Sequence, residues 1–590
     1  MKPRLFLAVA AFVCGASACL HSCSPAKSYA DYSVSSGFAP DSLDACNPQV
    51  IENLGVLCRV WGYVKYHHPV FADDKYNIDY ELFELLPEVA HADSRTRNRV
   101  LCEWIDGLGA YGTAPEQYDS PPPNRLDAYR TDLGWTHDAA RLGRPLCERL
   151  EKLRYADRSR GNRYVTKCFY KEYNLEAPNA GFAGEEPYAE MTDPDCGYRL
   201  LAAFRFWNMV EYFFPYKHLT DKPWADVLPE YTARMIALPD GTYNRTMWRM
   251  IARTNDSHAD WGAVNSVFGI YRAPVTTAYA EGKLIVAMPD TVSRPSDVGS
   301  GLQAGDEIVS VDGLPVEHFK REVRDYVPCS NEARVCDRTA DAILRSPRNT
   351  SVRIRYRRDG VERDTLVAVT GSWNDFDWRY GPYADLGGGI AYIDPVTFTA
   401  KDEKPLADLL EHAAGLVVDL RHYPYDPAFS RFVGKYVLTD DSLFMSKCQT
   451  YTYPILSLPG VFASSADPEP VWMRPRRNRY PIAVLVDNGT QSAGETHVQW
   501  FQTCSDVVVV GNQSSGANGN ITFIYLPGGI KTGFSGLGWY YSDGVTVQRR
   551  GVRIDVEVRP TVEGLKAGRD EILDKALEIL RKGKSGPVVN

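Results

Sequence analysis

The chain contains an internal duplication, and this constrains its fold more than any other feature of the sequence. Segment 59–69 (RVWGYVKYHHP) matches segment 205–215 (RFWNMVEYFFP), 146 residues further on. Asn98-Arg99 matches Asn244-Arg245 at the same offset. Apolar and aromatic residues recur at helical spacing in both segments, so each copy is predicted to form a small helical bundle.

The two copies differ at their ends. The second copy ends in Asp256-Ser257-His258, whereas Tyr111 and Gly112 stand where Ser257 and His258 would fall in the first copy. A structural role shared by both copies does not need the Ser-His pair. A single histidine is more often structural than functional, but this difference makes His258 a candidate functional residue.

The first residues are typical of a secretory signal. Lys2 and Arg4 precede the apolar stretch 5–18, which is too short for a confident membrane span. The stretch leads into Leu-His-Ser-Cys, which resembles a bacterial lipoprotein cleavage box with Cys23 as the lipidated residue, and Cys19 is the alternative site. We therefore expect an exported protein of the cell envelope, anchored to a membrane by lipid.

Composition bears on three questions: nucleic-acid binding, disulfides and metal binding. The 590 residues carry a net charge of −9, which gives no basic face for nucleic acid. Of 13 cysteines, those outside the signal and the lipid site are even in number, and Cys329 and Cys336 are the first pair to consider for a disulfide. Cysteines and histidines with zinc-site spacing are lacking, so neither a metal nor a cofactor is predicted.

Short strands and turns replace the helical period between residues 269 and 370. The predicted strands cover 284–287, 351–356 and 365–369, and segment 301–313 (GLQAGDEIVSVDG) adds turn glycines with alternating apolar residues. This region resembles PDZ domains, which bind an extended peptide by adding it to a sheet edge. An ordinary β-rich insertion is the alternative.

The C-terminal part, from residue 371, alternates apolar strands with helices. This alternation predicts an α/β core with mostly parallel strands. The predicted strands are 389–393, 416–420, 481–486 and 507–510, and the predicted helices are 404–414 and one that starts at Ala493.

One junction in this core combines a strand end, a turn and a helix start. In segment 487–495 (DNGTQSAGE), Ser492 stands where the helix begins. Free N–H groups and the positive end of the helix dipole would stabilise an oxyanion there. The same residues also fit a capping box, with Ser492 as N-cap and Glu495 at the third helical position.

Several motifs in a fixed order resemble the carboxy-terminal-processing and tricorn-like serine peptidase family. The motifs are Asp256-Ser257-His258, the PDZ-like segment 301–313, Asp419-Leu420-Arg421, Ser492-Ala493-Gly494-Glu495, and the tail segments 551–558 and 567–570. The resemblance implies a crotonase/ClpP-like core. It also implies that Ser492 is the nucleophile and that the Ala493 N–H forms part of the oxyanion hole.

The general base separates the branches of this family. The processing branch uses a lysine in a Gly-Lys-Gly turn, but the corresponding segment here, 515–519, is SGANG. The chain resembles the tricorn-like branch, which implies His258 as the base and Ser257 as the residue that orients it. An imidazole has a pKa suited to this task near neutral pH. Lys531 is a rival base, although a solvated surface lysine is its ordinary state.

Two departures from the family pattern affect the remaining site residues. The family follows Asp-Leu-Arg with an Asn and a Gly-Gly pair, but this chain has HYPYD at 422–426, and Pro424 has no N–H. The Tyr425 amide is then the candidate second oxyanion donor. The tricorn-like branch also has a fourth catalytic member, an acid or amide that orients the serine at the position of Ser257. Gln548 and Asp543 are the candidates for this role.

Taken together, these patterns predict a multidomain α/β protein that acts as a serine endopeptidase on polypeptides. The predicted units are a signal peptide 1–22, a helical region 23–197 with the first copy, the second copy 198–268, a PDZ-like domain 269–370 and the peptidase core 371–590. The alternative is a noncatalytic peptide-binding lipoprotein that has kept the peptidase fold.

Overall fold

The structure is a computed structural model that describes the chain in eleven stretches. These are residues 26–39, 43–114, 133–170, 175–287, 301–369, 380–437, 447–450, 460–463, 480–504, 506–541 and 543–582. The predicted signal peptide 1–22 and the predicted lipidated Cys23 lie outside the described residues. Among the described helices, none is both long and apolar enough to cross a bilayer.

The N-terminal region is helical, with one β-hairpin between the two sequence copies. Its elements are α1 (Pro48–His67), α2 (Ile78–Ala90), α3 (Ser94–Gly107), α4 (Ala139–Leu142), α5 (Arg144–Arg154), β1 (Thr166–Tyr170), β2 (Leu175–Gly181), α6 (Cys196–Phe213), α7 (Trp224–Ile236), α8 (Tyr243–Ala252) and α9 (Ala263–Phe268). Helices α1 to α3 and α6 to α8 repeat one arrangement.

Matching hydrogen bonds show that the two copies fold alike. The Trp61 indole donates to the Ile78 carbonyl at 2.8 Å, and the Trp207 indole donates to the Trp224 carbonyl at 3.0 Å. Both donors and both acceptors are related by the same sequence offset. Where α1 and α6 cross, a side chain at Gly62 would collide with Asn208, so glycine permits the close approach.

A buried network of charges ties the two copies together. Lys65 of α1 pairs with Glu185, and the Nε of Arg205 on α6 lies 3.1 Å from the same Glu185 carboxylate. Arg205 also pairs with Asp79 of α2, and the Tyr188 hydroxyl donates to Asp79 at 2.9 Å. Burial lowers the pKa of Lys65, and the charge of Glu185 opposes this effect. Each buried charge therefore depends on its partner for compensation.

The next region is built on an antiparallel sheet. Its elements are β3 (Tyr271–Arg272), β4 (Thr276–Ala280), β5 (Lys283–Ala287), β6 (Glu307–Val311), β7 (Leu314–Pro315), α10 (Val316–Tyr326), α11 (Glu332–Ala342), β8 (Arg345–Ser346), β9 (Thr350–Arg358) and β10 (Val361–Val369). The strand order is β10-β9-β6-β5-β4. The three strands predicted here from sequence are confirmed as parts of β5, β9 and β10.

The C-terminal region contains a mostly parallel sheet, as the alternating pattern predicts. Its elements are β11 (Tyr383–Asp385), β12 (Ile390–Ile393), α12 (Glu403–Leu410), β13 (Gly415–Asp419), α13 (Pro427–Phe432), β14 (Lys447–Thr450), β15 (Gly460–Ala463), β16 (Ile482–Val486), α14 (Ala493–Phe501), β17 (Val507–Gly511), β18 (Ile521–Leu526), β19 (Ile530–Ser535), β20 (Leu537–Tyr540), β21 (Val556–Glu557), α15 (Val562–Lys566) and α16 (Glu571–Lys582). The strand order is β11-β12-β13-β16-β17-β21, and β11 alone runs antiparallel to its neighbour.

The central strands of this sheet are apolar throughout because both faces are covered. In β16, Ile482 and Val484 face one hydrophobic cluster, while Ala483 and Leu485 face another on the opposite side. Side chains alternate between the two faces of a strand, so a strand buried on both sides needs apolar residues at every position.

Cys329 and Cys336, the first pair considered for a disulfide, are both free thiols in the structure. Cys329 is buried just before α11, whereas Cys336 lies within α11, with its sulfur 3.8 Å from the carboxylate of Glu332. Sequence proximity in a loop-like segment suggested the pairing. A helix starting between the two cysteines separates their environments.

The charge network predicts a large effect on stability when one carboxylate is removed. We expect Glu185→Gln to lower the free energy of unfolding by about 3–5 kcal/mol, because Lys65 and Arg205 lose their shared negative partner. Urea unfolding followed by circular dichroism measures this change. The matched control is Glu103→Gln, which breaks the exposed Arg99–Glu103 pair and should change stability far less. Equal effects of the two substitutions would contradict the assignment of a structural role to the network.

Candidate active site

Ser492 lies where the sequence predicts, in the tight turn between β16 and α14. Within the turn, the Thr490 N–H donates to the Asp487 carbonyl at 3.0 Å, and the Gly489 N–H donates to the Asp487 side chain at 2.8 Å. Ser492 has φ 53° and ψ −116°, a conformation that L-residues rarely adopt. Such strain marks a serine held at a sharp strand-to-helix turn, as in a nucleophile elbow.

The Glu495 carboxylate fixes this turn against a neighbouring loop. One oxygen accepts the Ser514 hydroxyl at 2.6 Å and the Gly516 N–H at 2.8 Å. The other accepts the Ala517 N–H at 3.0 Å and the Ser492 N–H at 3.3 Å. Burial raises the pKa of Glu495 to about 7 against these hydrogen bonds. Glu495 thus makes the backbone contact of the predicted capping box and also holds the loop 514–517.

His258 lies in a buried one-turn helix, Ser257–Ala259. Its backbone N–H donates to Asp256 Oδ1 at 3.1 Å, and its ring Nδ1 lies 2.8 Å from Ser535 Oγ. Within the described part of the chain, ring Nε2 is buried and has no hydrogen-bond partner. Burial lowers the pKa of His258, the charge of Asp256 opposes this effect, and Arg334 adds to it. The ring is therefore neutral near pH 7, and Nε2 can accept a proton.

Ser257 does not make the contact expected of it. Its hydroxyl accepts from the Ser330 N–H at 2.9 Å, and its own N–H donates to the Ser330 hydroxyl at 2.8 Å. The hydroxyl on the imidazole of His258 belongs instead to Ser535, far along the chain. Two adjacent residues in one tight turn point in different directions, so neighbours in sequence need not be neighbours in the site.

A set of hydrogen bonds joins the His258 segment to the turn that carries Ser492. Asn331, which follows the partner of Ser257, donates to the carbonyls of Ser514 and Ser515 at 2.8 and 3.2 Å. From the other side, the Ser492 N–H donates to the Ala517 carbonyl at 2.9 Å. The two distant segments are therefore connected through Ser330-Asn331 and the loop 514–517.

Arg549 and Arg334 reinforce the same junction. The Arg549 side chain donates to the Ser330 carbonyl at 3.0 Å, and its backbone N–H donates to the Gly516 carbonyl at 2.8 Å. Arg334 donates to the Asn488 carbonyl at 3.3 Å, and its charge also acts on His258. The Ser492 turn and the His258 turn thus share their neighbours.

The predicted oxyanion donors lie on segments that pack against each other. Ala493 is the first residue of α14, and Tyr425 is mostly exposed on the segment after β13. The Leu420 carbonyl accepts the Thr490 hydroxyl at 2.8 Å, and a side chain at Gly494 would lie 4.0 Å from Pro424. The oxyanion roles of Ala493 and Tyr425 remain predictions.

The remaining candidates have different surroundings. Gln548 is buried, and within the described part of the chain neither atom of its side-chain amide has a hydrogen-bond partner. Asp543 pairs with Arg553 at the surface. Lys531 is exposed and lies 4.7 Å above the Trp261 ring, as a surface lysine would. No group of three potential metal ligands occurs among the described residues.

Residues of the Asp-Leu-Arg motif anchor the strand end beside the site. The Arg421 guanidinium donates to Asp419 at 2.9 and 2.6 Å and to Asp570, from the tail motif, at 2.9 and 2.7 Å. Although burial opposes it, Arg421 lowers the pKa of Asp419 to about 2. Next to it, the His422 ring lies 2.6 Å from Asp394, a partner that no local sequence signal indicates.

Part of the chain matches a known protein family in sequence. Residues 429–558, which include Ser492, match the sequence model of Peptidase family S41. The part of the chain that carries Ser492 is therefore of the peptidase family S41 type.

Among individual proteins, the chain is similar to the carboxy-terminal processing protease CtpA of Bacillus subtilis (strain 168). The two are 23% identical over 326 residues, which is 52% of this chain and 65% of the relative. The chain thus spans just under two thirds of the relative's length.

Solved structures of such peptidases show more distant likenesses. Mature CPAF complexed with lactacystin is 13% identical, with a TM-score of 0.49 over 66% of this chain and 99% of its own. The photosystem II D1 C-terminal processing protease is 19% identical, with a TM-score of 0.36 over 63% and 98%. The tricorn protease is 14% identical, with a TM-score of 0.33 over 66% and 37%.

Because the backbone at Ser492 is strained, the order of stability of glycine and alanine variants should be opposite at Ser492 and at an ordinary helical position. We expect Ser492→Gly to be more stable than Ser492→Ala by about 1–2 kcal/mol, because glycine tolerates positive φ and alanine does not. Thermal unfolding of the two variants measures the difference. In the control, Ser430 lies inside helix α13, and Ser430→Gly should be less stable than Ser430→Ala by about 0.5–1 kcal/mol. The same order at both positions would argue against strain at Ser492.

The His422–Asp394 pair predicts a pH-dependent stability. Although burial opposes it, the Asp394 carboxylate raises the pKa of His422 from 6.5 to about 9. Because the pKa of His422 is higher in the fold than its ordinary value of 6.5, the protonated ring stabilises the fold fully below pH 6.5. This contribution, about 3 kcal/mol, is lost as the pH rises through 9. Urea unfolding of the wild type and His422→Gln across this range should show the two stabilities converging. In an Asp394→Asn background the convergence should become smaller, because only the charge of Asp419 still raises the pKa of His422; an unchanged convergence would assign the effect to another group.

Proposed function

We propose that this protein is an exported serine endopeptidase that hydrolyses polypeptides through an acyl-enzyme on Ser492. The observation that carries the proposal is the junction at loop 514–517. It links a strained serine at a helix N-terminus to a segment whose histidine has a buried Nε2 with no hydrogen-bond partner among the described residues. The peptidase S41 match over this serine supports the same assignment.

In the proposed reaction, His258 Nε2 takes the proton of the Ser492 hydroxyl while Oγ attacks the scissile carbonyl. The oxyanion is stabilised by the Ala493 N–H at the positive end of α14 and by a second N–H at Tyr425. The imidazolium returns its proton to the leaving amine as the C–N bond breaks. Water, deprotonated by the same imidazole, then hydrolyses the ester and restores Ser492.

Polypeptide segments are the proposed substrates, and region 269–370 is the proposed docking module. Its antiparallel sheet ends at β4, the kind of edge strand to which an extended peptide adds in PDZ domains. Ser330 and Asn331, between α10 and α11 of this region, contact both the His258 turn and the 514–517 loop. A peptide bound to this module would therefore lie near the reacting groups.

We also propose that the mature protein is held at the cell envelope by lipid on Cys23. The support is the sequence of the first residues, where Lys2 and Arg4 precede an apolar stretch and a lipoprotein-type box. Export would bring the enzyme to polypeptides outside the cytoplasm. The lipid would keep it there without a spanning helix.

Activity labelling tests the proposed mechanism without knowledge of the substrate. We expect a fluorophosphonate probe to label the purified full chain at Ser492 and to leave Ser492→Ala unlabelled. His258→Ala should slow labelling by about 10²–10⁴-fold, because the general base is lost. The labelling rate, followed by in-gel fluorescence and by mass spectrometry of the modified peptide, measures both effects.

The matched control is His412→Ala, which removes an exposed histidine and should label at the wild-type rate. A wild-type chain that does not label but still binds unfolded polypeptide would favour the rival function, a noncatalytic peptide-binding lipoprotein. Labelling of Ser492 that does not depend on His258 would contradict the assignment of the base.

A further inference from the structure

A buried carboxylate lies behind the imidazole of His258, and the mechanism above gives it no role. Asp256 is fully buried and accepts three hydrogen bonds. Oδ1 accepts the His258 N–H at 3.1 Å and the Ser535 hydroxyl at 3.1 Å, and Oδ2 accepts the Ser535 N–H at 2.6 Å. A buried carboxylate with such specific partners has either a structural or an electrostatic purpose.

The direction of these hydrogen bonds determines which ring nitrogen of His258 carries the proton. An ionised carboxylate can only accept, so the single hydroxyl proton of Ser535 points to Asp256. The Ser535 oxygen must then accept from His258 Nδ1, which lies 2.8 Å away. With the proton on Nδ1, the lone pair is on Nε2, the nitrogen without a partner among the described residues. This is the tautomer that a general base requires.

We propose that Asp256 and Ser535 form a relay that positions His258 for catalysis. Asp256 acts on the imidazole through the Ser535 hydroxyl, and both are positioning residues, since neither touches the reacting atoms. When Nε2 takes the proton of Ser492, the Nδ1–H···Oγ hydrogen bond and the nearby negative charge stabilise the imidazolium. This inference rests on the proposed function, and it gives Ser535 and Asp256 the orienting role that the sequence suggests for Ser257 and Gln548.

The relay depends on a hairpin that the core inserts into the helical region. Ser535 ends β19, whose partner is β18. Thr532 of β19 donates to the Ala259 carbonyl at 2.8 Å, and at the hairpin tip the Tyr243 hydroxyl donates to the Pro527 carbonyl at 2.7 Å. At the other end, Thr522 donates to the Ala180 carbonyl at 2.9 Å. These contacts hold Ser535 against the His258 turn, so the relay is assembled from two regions of the chain.

The test compares Ser535→Ala with Ser535→Thr in the full chain, using the fluorophosphonate labelling rate of Ser492 as a function of pH. We expect Ser535→Ala to slow labelling by about 10–100-fold, because part of the general-base contribution is lost. Ser535→Thr, which keeps the hydroxyl, should restore most of the rate. The apparent pKa of the pH–rate profile should also fall in Ser535→Ala, since the imidazolium loses its acceptor while the charges of Asp256 and Arg334 stay in place.

The control for the loss of a buried hydroxyl is Thr232→Val, which removes the hydrogen bond to the Leu228 carbonyl inside α7, away from the relay and its hairpin. It should lower thermal stability and leave the labelling rate and its pH profile unchanged. Asp256→Asn, which removes the charge and keeps one acceptor oxygen, is an independent second variant and should slow labelling in the same way as Ser535→Ala.

The possible outcomes separate the two proposals. Wild-type labelling together with an unchanged rate and pH profile in folded Ser535→Ala would overturn the relay and leave the proposed function intact. The relay would also be overturned if Ser535→Thr labelled no faster than Ser535→Ala and the pH–rate profile did not shift. Ser535 would then have only a structural role. A wild-type chain that cannot be labelled would overturn both proposals together.

Discussion

The buried carboxylate of Glu495 is the contact on which the candidate site depends. Its two oxygens accept N–H groups from the Ser492 turn and from the 514–517 loop. Because the Gly516 and Ala517 N–H groups are buried, each would lose a hydrogen bond without compensation from water if the carboxylate were displaced. The loop can therefore serve as a fixed surface to which the other parts of the chain attach.

Residues from three regions of the chain surround this junction, and the candidate site lies where the regions meet. The β-rich region contributes Asn331, which bonds the loop, and Ser330, which bonds the His258 turn. The core contributes the hairpin that ends in Ser535. The helical region contributes His258 itself. The turns that carry Ser492 and His258 are thus connected only through contacts between regions.

The duplication gives the helical region a rigid scaffold beneath the His258 turn. Both copies keep the same tryptophan hydrogen bond, so the scaffold is shared, and the charge network centred on Glu185 locks the copies together. Only the second copy ends beside the core hairpin. The Ser-His pair occurs where the scaffold meets the core, and the first copy has Tyr111 and Gly112 at these positions.

The local pattern of the sequence was sufficient to predict four strands and two helices of the core, the repeated helices and the position of Ser492. These features follow from periodicity and from turn residues, which act over a few neighbouring positions. The partner of His258 could not be predicted, because Ser535 lies 277 positions away and nothing in its own neighbourhood marks it. For the same reason, Ser257 was assigned a contact that the fold gives to another residue. Which hydroxyl meets an imidazole is decided by how separate regions pack, and that is a property of the tertiary structure alone.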